Sequence, residues 1–176
     1  MLSDGVVTLR PLRPEDADRV VSHLQDPEIP RWTRIPSPYG HGEFDEWLHF
    51  SAQAREQGEG IHLAITDEGD RVIGAVGVQG LDTDRPDIGY WTAQEVRRQG
   101  IAVRAVRLLR DWLAAEHRCE HLEILIDPAN APSQRTAAAA GFFATGEYRR
   151  DPRPNLSGEF MVFAWPGDSG AGAGAG

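Results

Sequence analysis

The hydrophobic positions along this chain follow two spacings, one typical of strands and one typical of helices. Alternation of apolar and polar residues, or a short apolar run, predicts strands at residues 6–13, 61–67, 71–80, 87–92, 121–126, 142–150 and 159–165. Apolar residues three and four positions apart predict helices at residues 14–24, 43–58, 101–117 and 131–141. Strands and helices in this order predict one α/β domain with a mixed sheet.

Two segments show neither spacing. Residues 26–40 contain four prolines in fifteen positions, which predicts a long, stiff loop. Trp32 and Tyr39 make this loop a candidate wall of a binding site, although its aromatic side chains could equally pack against the loop itself. Residues 167–176 are mostly glycine and alanine, which predicts a disordered tail and leaves residues 1–166 for the folded domain.

Composition and charge narrow the class of protein. A length of 176 residues suggests a single domain. The net charge of −9 argues against a general nucleic-acid binder, which needs Lys and Arg to neutralise phosphates. It suits an amine partner, although solubility alone explains it more simply.

Further features bear on compartment and metal content. A lone cysteine, Cys119, excludes an intramolecular disulfide and is expected to be buried or inert. The chain shows neither a membrane-spanning apolar run nor a signal-peptide pattern, so we expect a cytoplasmic protein. The six histidines show no metal-ligand spacing, and we expect no metal.

One stretch, VRRQGIAVRAVRLL at residues 96–109, places four arginines around one glycine where a turn runs into a helix. Backbone N–H groups at a helix start lack intrahelical partners and attract anions. Gly100 lets an oxygen approach the backbone, and Arg97, Arg98 and Arg104 could add charge-assisted hydrogen bonds. Arginine is unfavourable beside a helix N-terminus, which favours a phosphate site over a basic turn that is merely solvated.

The stretch DIGYWTAQEVRRQGIAVRAVRLLRDWL, followed by LEILIDPANAPSQRTAAAAGF, resembles the GNAT superfamily of acyl-CoA-dependent N-acetyltransferases. Arg97, Gly100 and Ala102 match its signature of Gln or Arg, two residues, Gly, one residue, and Gly or Ala. The segments LRPLRPEDADRV and DPEIPRWTRIPSPYG resemble the branch of ribosomal-protein N-terminal acetyltransferases, in which homodimers are common. The resemblance covers residues 6 to 165.

This resemblance implies a mostly antiparallel central sheet flanked by helices, in which strands 87–92 and 121–126 splay apart to form an acyl-CoA slot. Acetyl-CoA is the implied co-substrate. Backbone N–H groups from Arg98 to Val103 would hold its pyrophosphate, and strand 87–92 would hold the pantetheine arm. The implied contacts are Tyr90, Trp91, Thr92, Arg97, Arg98, Gln99, Gly100, Ile101, Ala102, Val103, Asn130 and Ser133.

Transfer of an acetyl group to an amine requires a neutral amine, a donor to the oxyanion and a proton for the departing thiolate. Backbone N–H groups near Trp91 or Thr92 could bind the oxyanion. Many relatives use a tyrosine as the thiolate acid where this chain has Ala137, so Ser133 is the best substitute. Alternatively, Ser133 bonds only nearby backbone, and Asn130 serves as the N-cap of helix 131–141.

The general base is the least determined part of the site. Glu123 shares a strand face with Leu125, where one subgroup of the superfamily has a glutamate, and Asp87 lies on the neighbouring strand. Either carboxylate could simply be solvated, and His62 and His41 are weaker candidates. Deprotonating a lysine-type amine at pH 7 costs about 4–5 kcal/mol, whereas an α-amine costs about 1 kcal/mol. A site without an obvious base therefore favours an α-amine.

The sequence leaves four functions open. The first is N-acetylation of a protein or peptide N-terminus. The second is acetylation of a small amine such as an amino acid, a polyamine or an aminoglycoside. The third is a non-catalytic acyl-CoA-binding domain, and the fourth is a generic anion-binding α/β protein.

Overall fold

Eight strands form one sheet, in a computed structural model that describes residues 1–117, 119–150 and 158–166. The strands are β1 (Leu2–Ser3), β2 (Thr8–Pro11), β3 (Gly60–Thr66), β4 (Val72–Gln79), β5 (Asp87–Thr92), β6 (His121–Ile126), β7 (Phe143–Arg150) and β8 (Glu159–Pro166). Their order in the sheet is β1-β2-β3-β4-β5-β6-β8-β7. Every neighbouring pair is antiparallel except β5 and β6, which are parallel. The sheet is therefore mixed and mostly antiparallel, as predicted.

Helices cover both faces of this sheet. They are α1 (Ala17–His23), α2 (Glu28–Trp32), α3 (His41–Gln57), α4 (Ile101–Glu116) and α5 (Ala131–Ala139). On one face α4 packs its stripe against β-strand residues, with Leu109 and Leu113 fully buried. Each such leucine contributes about 1.5–3 kcal/mol relative to an exposed one. On the other face, Val20 of α1 and Phe44 of α3 pack over Ala64, Ala75 and Trp91.

The parallel pair β5–β6 lies in the middle of the sheet and is short. Its register contains one residue pair, Asp87 with Glu123, next to a hydrogen bond from the Glu123 N–H to the Pro86 carbonyl at 2.9 Å. Beyond that point the two strands diverge, so the predicted splay is present. Each of these strands is paired along its other edge, β5 with β4 and β6 with β8.

Differences from the predicted elements are local. The segment predicted as a loop contains α2, whose N-cap is Pro27; just before it, the Asp26 carboxylate accepts a hydrogen bond from the Glu28 N–H at 3.0 Å. Pro30 falls in the first turn of this helix, where a missing N–H costs nothing. Strand β1 was not predicted, because two residues are too few to show alternation. The tail predicted at 167–176 lies outside the described residues.

Candidate active site

A cavity of about 990 Å³ opens where β5 and β6 diverge. Tyr90, Trp91 and Thr92 of β5 line one side of the opening, and Ile124 and Leu125 of β6 line the other. Past Asp87, the edge of β5 that faces β6 has no strand partner within the part of the chain that the structure describes. An extended ligand can therefore lie along that edge and use the backbone groups that β6 leaves unpaired.

The N-terminus of α4 forms one end of the cavity, and residues 100–103 line it. Gly100 is the N-cap in the left-handed region, with φ of 77°, and a Cβ placed on it would meet nothing within 4 Å. The backbone is therefore open to a ligand oxygen, and the first N–H groups of α4 lack intrahelical partners. This geometry suits an anion at the helix start.

The arginines around this turn have different partners. Arg97 lines the cavity, but its guanidinium pairs with Asp26 at 2.5 Å, and Arg104 pairs with Asp4 at 2.8 Å. The Arg98 side chain lines the cavity and has no carboxylate partner among the described residues. The geometry therefore leaves Arg98 as the arginine of this turn that faces a ligand, whereas Arg97 and Arg104 hold the turn in place.

Two further residues near the start of α4 and on α5 differ from the predicted set of cofactor contacts. Gln99 does not line the cavity, because its side-chain amide donates to the Glu95 carbonyl at 2.9 Å. Arg135, which the sequence reasoning missed, lines the cavity from α5. The signal that could have found it is helical spacing, since Pro132, Arg135 and Thr136 share the face of α5 that borders the cavity.

Ser133 and Asn130 line the cavity at the start of α5. The Asn130 side chain accepts a hydrogen bond from the Ser133 N–H at 3.1 Å, which confirms that Asn130 is the N-cap. The Ser133 hydroxyl lies 2.7 Å from the hydroxyl of Tyr90, which reaches it from β5. Burial raises the pKa of Tyr90, so this phenol remains protonated near neutral pH.

The two carboxylates that were predicted as bases belong to register partners on β5 and β6, but their surroundings differ. Asp87 lines the cavity and forms an ion pair with Arg34 at 2.8 Å. Glu123 is fully buried outside the cavity lining, where it pairs with Arg85 and His121 at 3.0 Å each and with Arg149.

The surroundings of Glu123 do not suit a general base. Burial opposes its ionisation, but hydrogen bonds from His121 and Arg149, with the charges of Arg149 and Arg85, lower its pKa overall. Residue 123 shares a strand face with Leu125, as expected, but β5 and β6 are still paired at this level and the slot has not yet opened. The role of Glu123 as a base stays a prediction, and its cationic partners and its place outside the cavity lining do not favour it.

The two histidine candidates also differ in position. His62 of β3 lines the cavity, and its ring packs against Trp47 and Phe50 with centroid distances of 6.3 and 5.5 Å. Burial lowers the pKa of His62 to about 4, so the ring is neutral at pH 7. His41 pairs with Asp18 at 2.8 Å on the surface and does not line the cavity.

The half of the cavity away from the start of α4 lies over the sheet face that carries α1 and α3. Its floor crosses three strands in register at His62, Gly77 and Gly89. A Cβ on Gly77 would lie 2.5 Å from the His62 ring, so glycine is required there for the ring to lie flat on the strand. Aromatic and acidic side chains form the walls: Trp32, Tyr39, Trp47, Phe50, Glu28, Glu43 and Glu46. Trp32 and Tyr39 thus line a cavity, as the loop composition predicted.

Two further features lie outside the cavity. Cys119 is partly buried beyond the lining, and burial raises its pKa, which disfavours a reactive thiolate. Within the described ranges, no cluster of three or more His, Cys, Asp or Glu residues could hold a metal ion. None of the described helices is long and apolar enough to cross a membrane.

Comparison with known proteins agrees with this geometry. Residues 7–143 match the sequence model of the acetyltransferase (GNAT) domain family. An uncharacterized N-acetyltransferase, p20 of Bacillus licheniformis, is 26% identical over 146 residues, which cover 81% of this chain and 82% of p20.

Two solved structures share the fold at low sequence identity. Mycobacterium smegmatis RimJ, in complex with CoA-disulfide, has a TM-score of 0.82 at 19% identity and covers 95% of this chain and 85% of its own. The ribosomal-protein-S5-alanine acetyltransferase from Vibrio fischeri has a TM-score of 0.82 at 16% identity, with 96% and 98% covered.

Proposed function

Because the chain belongs to the GNAT acetyltransferase family, we propose that it transfers an acetyl group from acetyl-CoA to the α-amine of a protein or peptide N-terminus. The observation that carries this proposal is the opening between β5 and β6. It leads directly to the N-terminus of α4, where the N-cap Gly100 has no side chain to bond the first N–H groups. An edge for an extended arm and a site for phosphates thus belong to one cavity. Acetyl-CoA has both groups in that order.

In the proposed complex, the pyrophosphate lies on the backbone N–H groups of residues 100–103, with Arg98 beside it. The pantetheine arm follows β5 at residues 90–92, and Asn130 and Ser133 face it from α5. This arrangement places the thioester at the level of the sheet, between the donor half of the cavity around α4 and α5 and the acceptor half around α2 and α3.

The reaction follows from these positions. The amine nitrogen attacks the thioester carbon, a C–N bond forms, and a backbone N–H near Trp91 or Thr92 stabilises the oxyanion. The C–S bond then breaks with its electron pair on sulfur. Sulfur takes a proton from the Ser133 hydroxyl, the nitrogen releases one proton to solvent, and Ser133 Oγ recovers a proton so that the hydroxyl is restored.

An α-amine is the acceptor that this site favours. Of the two predicted bases, Asp87 is paired with Arg34 and Glu123 is buried among cations. A lysine amine would need about 4–5 kcal/mol to lose its proton at pH 7, against about 1 kcal/mol for an α-amine. The glutamates at the acceptor half would attract a protonated amine before it reacts. The ribosomal-protein acetyltransferase among the structural relatives supports a protein acceptor.

The proposal is tested in two steps. Calorimetry with acetyl-CoA alone should give binding in the micromolar range, and loss of binding in Gly100→Glu would assign it to the α4 turn. Release of free coenzyme A should then be measured with short peptides, an Nα-acetyl-lysine amide, spermidine and an aminoglycoside.

Turnover with peptides that vanishes when the N-terminus is blocked supports the proposal. Faster turnover with spermidine or the aminoglycoside than with peptides would identify the protein as an acetyltransferase for small amines. Binding without turnover on any amine would make it an acyl-CoA-binding domain, and no binding would overturn the proposal altogether.

A further inference from the structure

A pair of hydroxyl groups joins the two sides of the slot. Tyr90 projects from β5 and Ser133 lies in the first turn of α5, and their hydroxyl oxygens are 2.7 Å apart. The Tyr90 hydroxyl is also 3.4 Å from the Ser133 carbonyl oxygen. Both residues line the cavity, so the pair lies at the proposed position of the thioester.

Packing holds the Tyr90 ring in this position. Tyr90 packs against the apolar cluster that contains Ile88 and Ile101, so its hydroxyl has little freedom to leave Ser133. The Thr136 hydroxyl, one turn further along α5, donates to the Pro132 carbonyl at 3.2 Å. The phenol therefore meets acceptor oxygens on α5 rather than bulk water.

Either hydroxyl of this pair could be the donor, and the choice decides where the serine hydrogen can point. A serine hydroxyl has one hydrogen and two lone pairs. If the phenol donates to Ser133 Oγ, the serine hydrogen is free to point at a sulfur atom in the slot. A serine alone is a poor acid, because loss of its proton leaves an alkoxide. Coupling to a phenol moves the negative charge from an alkoxide to a more stable anion.

We propose that Tyr90 is a positioning residue that orients the Ser133 hydroxyl toward the departing sulfur and replaces its proton. This inference rests on the proposed acetyl transfer. As the C–S bond breaks, sulfur takes the Ser133 proton and Ser133 Oγ takes the phenol proton. The phenolate then recovers a proton from solvent, which has received the one lost by the amine. Tyr90 thus supplies from β5 a hydroxyl group that Ala137 of α5 lacks.

The test uses Tyr90→Phe, which removes the hydroxyl and keeps the ring that packs in the core. We expect kcat to fall by about tenfold to a hundredfold. The Kd for acetyl-CoA from calorimetry and the KM of the acceptor should change by less than about twofold. Tyr148→Phe is the matched control, because Tyr148 is 53% exposed on β7 and lies outside the cavity lining.

Two readouts separate this role from simple packing. In a Ser133→Ala background, Tyr90→Phe should cause no further loss of kcat, because the phenol acts through Ser133. With the acetyl thioester of 4-nitrothiophenol, whose thiolate leaves without a proton, the loss in Tyr90→Phe should nearly disappear. A structural defect would persist with both donors.

The outcomes distinguish this inference from the proposed function. Wild-type kcat in Tyr90→Phe, with chemistry shown to limit turnover, would overturn the role of Tyr90 while acetyl transfer stands. Additive losses in the double variant, or equal losses with both thioesters, would also overturn it. Failure of the wild-type protein to bind acetyl-CoA would instead overturn the proposed function.

Discussion

The donor half and the acceptor half of the cavity are built in different ways. The donor half consists of backbone: the free edge of β5 and the start of α4, with Arg98 and Arg135 as its charges. The acceptor half consists of side chains, aromatic and acidic, from α2, α3 and the segment between them. Backbone geometry binds whatever carries phosphates and an extended arm, whereas side chains select among ligands. The fold therefore prescribes the donor, and the acceptor depends on residues that the fold leaves free to vary.

The largest effect should come from closing the donor half. Gly100→Glu forces a residue with a side chain to adopt a φ of 77°, and it places a carboxylate where phosphates would lie. We expect the Kd for acetyl-CoA to rise by about 100-fold or more, from backbone strain and charge repulsion together. Calorimetry measures this. Gly42→Glu adds the same charge in the first turn of α3 with nothing within 4 Å of its Cβ, and should bind acetyl-CoA normally.

The acceptor half should respond in a different parameter. Phe50→Ala removes an aromatic wall that is 47% exposed, so stability should change little. We expect kcat/KM for the acceptor to fall by about tenfold, because an aromatic contact is lost, while the Kd for acetyl-CoA stays unchanged. Initial rates at saturating acetyl-CoA measure the first quantity. An equal change in both would contradict the division of the cavity.

The arginines offer a sharper test within the donor half. Arg98→Ala should raise the Kd for acetyl-CoA by about fivefold to tenfold and reduce its salt dependence, because one exposed charge–phosphate contact is lost. Arg104→Ala should change the Kd by less than about twofold, since Arg104 pairs with Asp4 outside the cavity lining. Titrations at two ionic strengths check both. Equal losses would mean that Arg104 leaves Asp4 when the ligand binds.

One ion pair connects the two halves and should give a smaller, shared effect. Asp26 pairs with Arg97 and also accepts a hydrogen bond from the Glu28 N–H at the start of α2, which lines the acceptor half. Asp26→Asn keeps an oxygen that can accept from the Glu28 N–H but weakens the ion pair. We expect rises of about threefold in both the Kd for acetyl-CoA and the KM of the acceptor. Independent effects, with either parameter unchanged, would argue against coupling through this pair.

Glu123→Gln should leave both halves unaffected. We expect unchanged kcat, because Glu123 lies outside the cavity lining. We expect a lower Tm, because a buried carboxylate loses its charge next to Arg85 and Arg149.

The pKa of Glu123 is lowered in the folded state, so the stabilisation from its carboxylate is present above its unfolded pKa and is lost as pH falls through the folded value. Thermal melts across acidic pH should therefore converge for the two proteins. A large loss of kcat would restore the base hypothesis.

The helix start, the glycine and the strand at the α4 end of the cavity could be predicted from the sequence, because these features are local. An uncapped helix start, a glycine and a neighbouring strand occupy residues 87–103, and the side-chain cap at Asn130 obeys a rule of short range. The partners of Arg97 and Arg104 could not be predicted, because Asp26 and Asp4 are about 70 and 100 positions away in the chain.

The acceptor half and the Tyr90–Ser133 contact depend on register. Gly77 and Gly89 lie beside His62 because of the register of β3, β4 and β5. The alternation of apolar and polar residues alone does not specify that register. The surroundings of Glu123 have the same origin: residue 123 shares a strand face with Leu125, as predicted, but the level at which β5 and β6 separate is set by the sheet. Helix α2 was missed because prolines in a first turn resemble prolines in a loop.

The single residue pair between β5 and β6 also bears on how the molecule unfolds. It divides the hydrogen-bond ladder into a five-strand part, β1 to β5, and a three-strand part, β6 to β8, joined by α4 and one rung of the sheet. A ligand that lies along β5 acts as the strand that is absent from this seam. Occupancy should therefore slow amide hydrogen exchange on both sides of the seam and raise the melting temperature with the logarithm of ligand concentration. If acetyl-CoA binds as proposed, it completes the sheet between β5 and β6 and leaves it incomplete again when it dissociates.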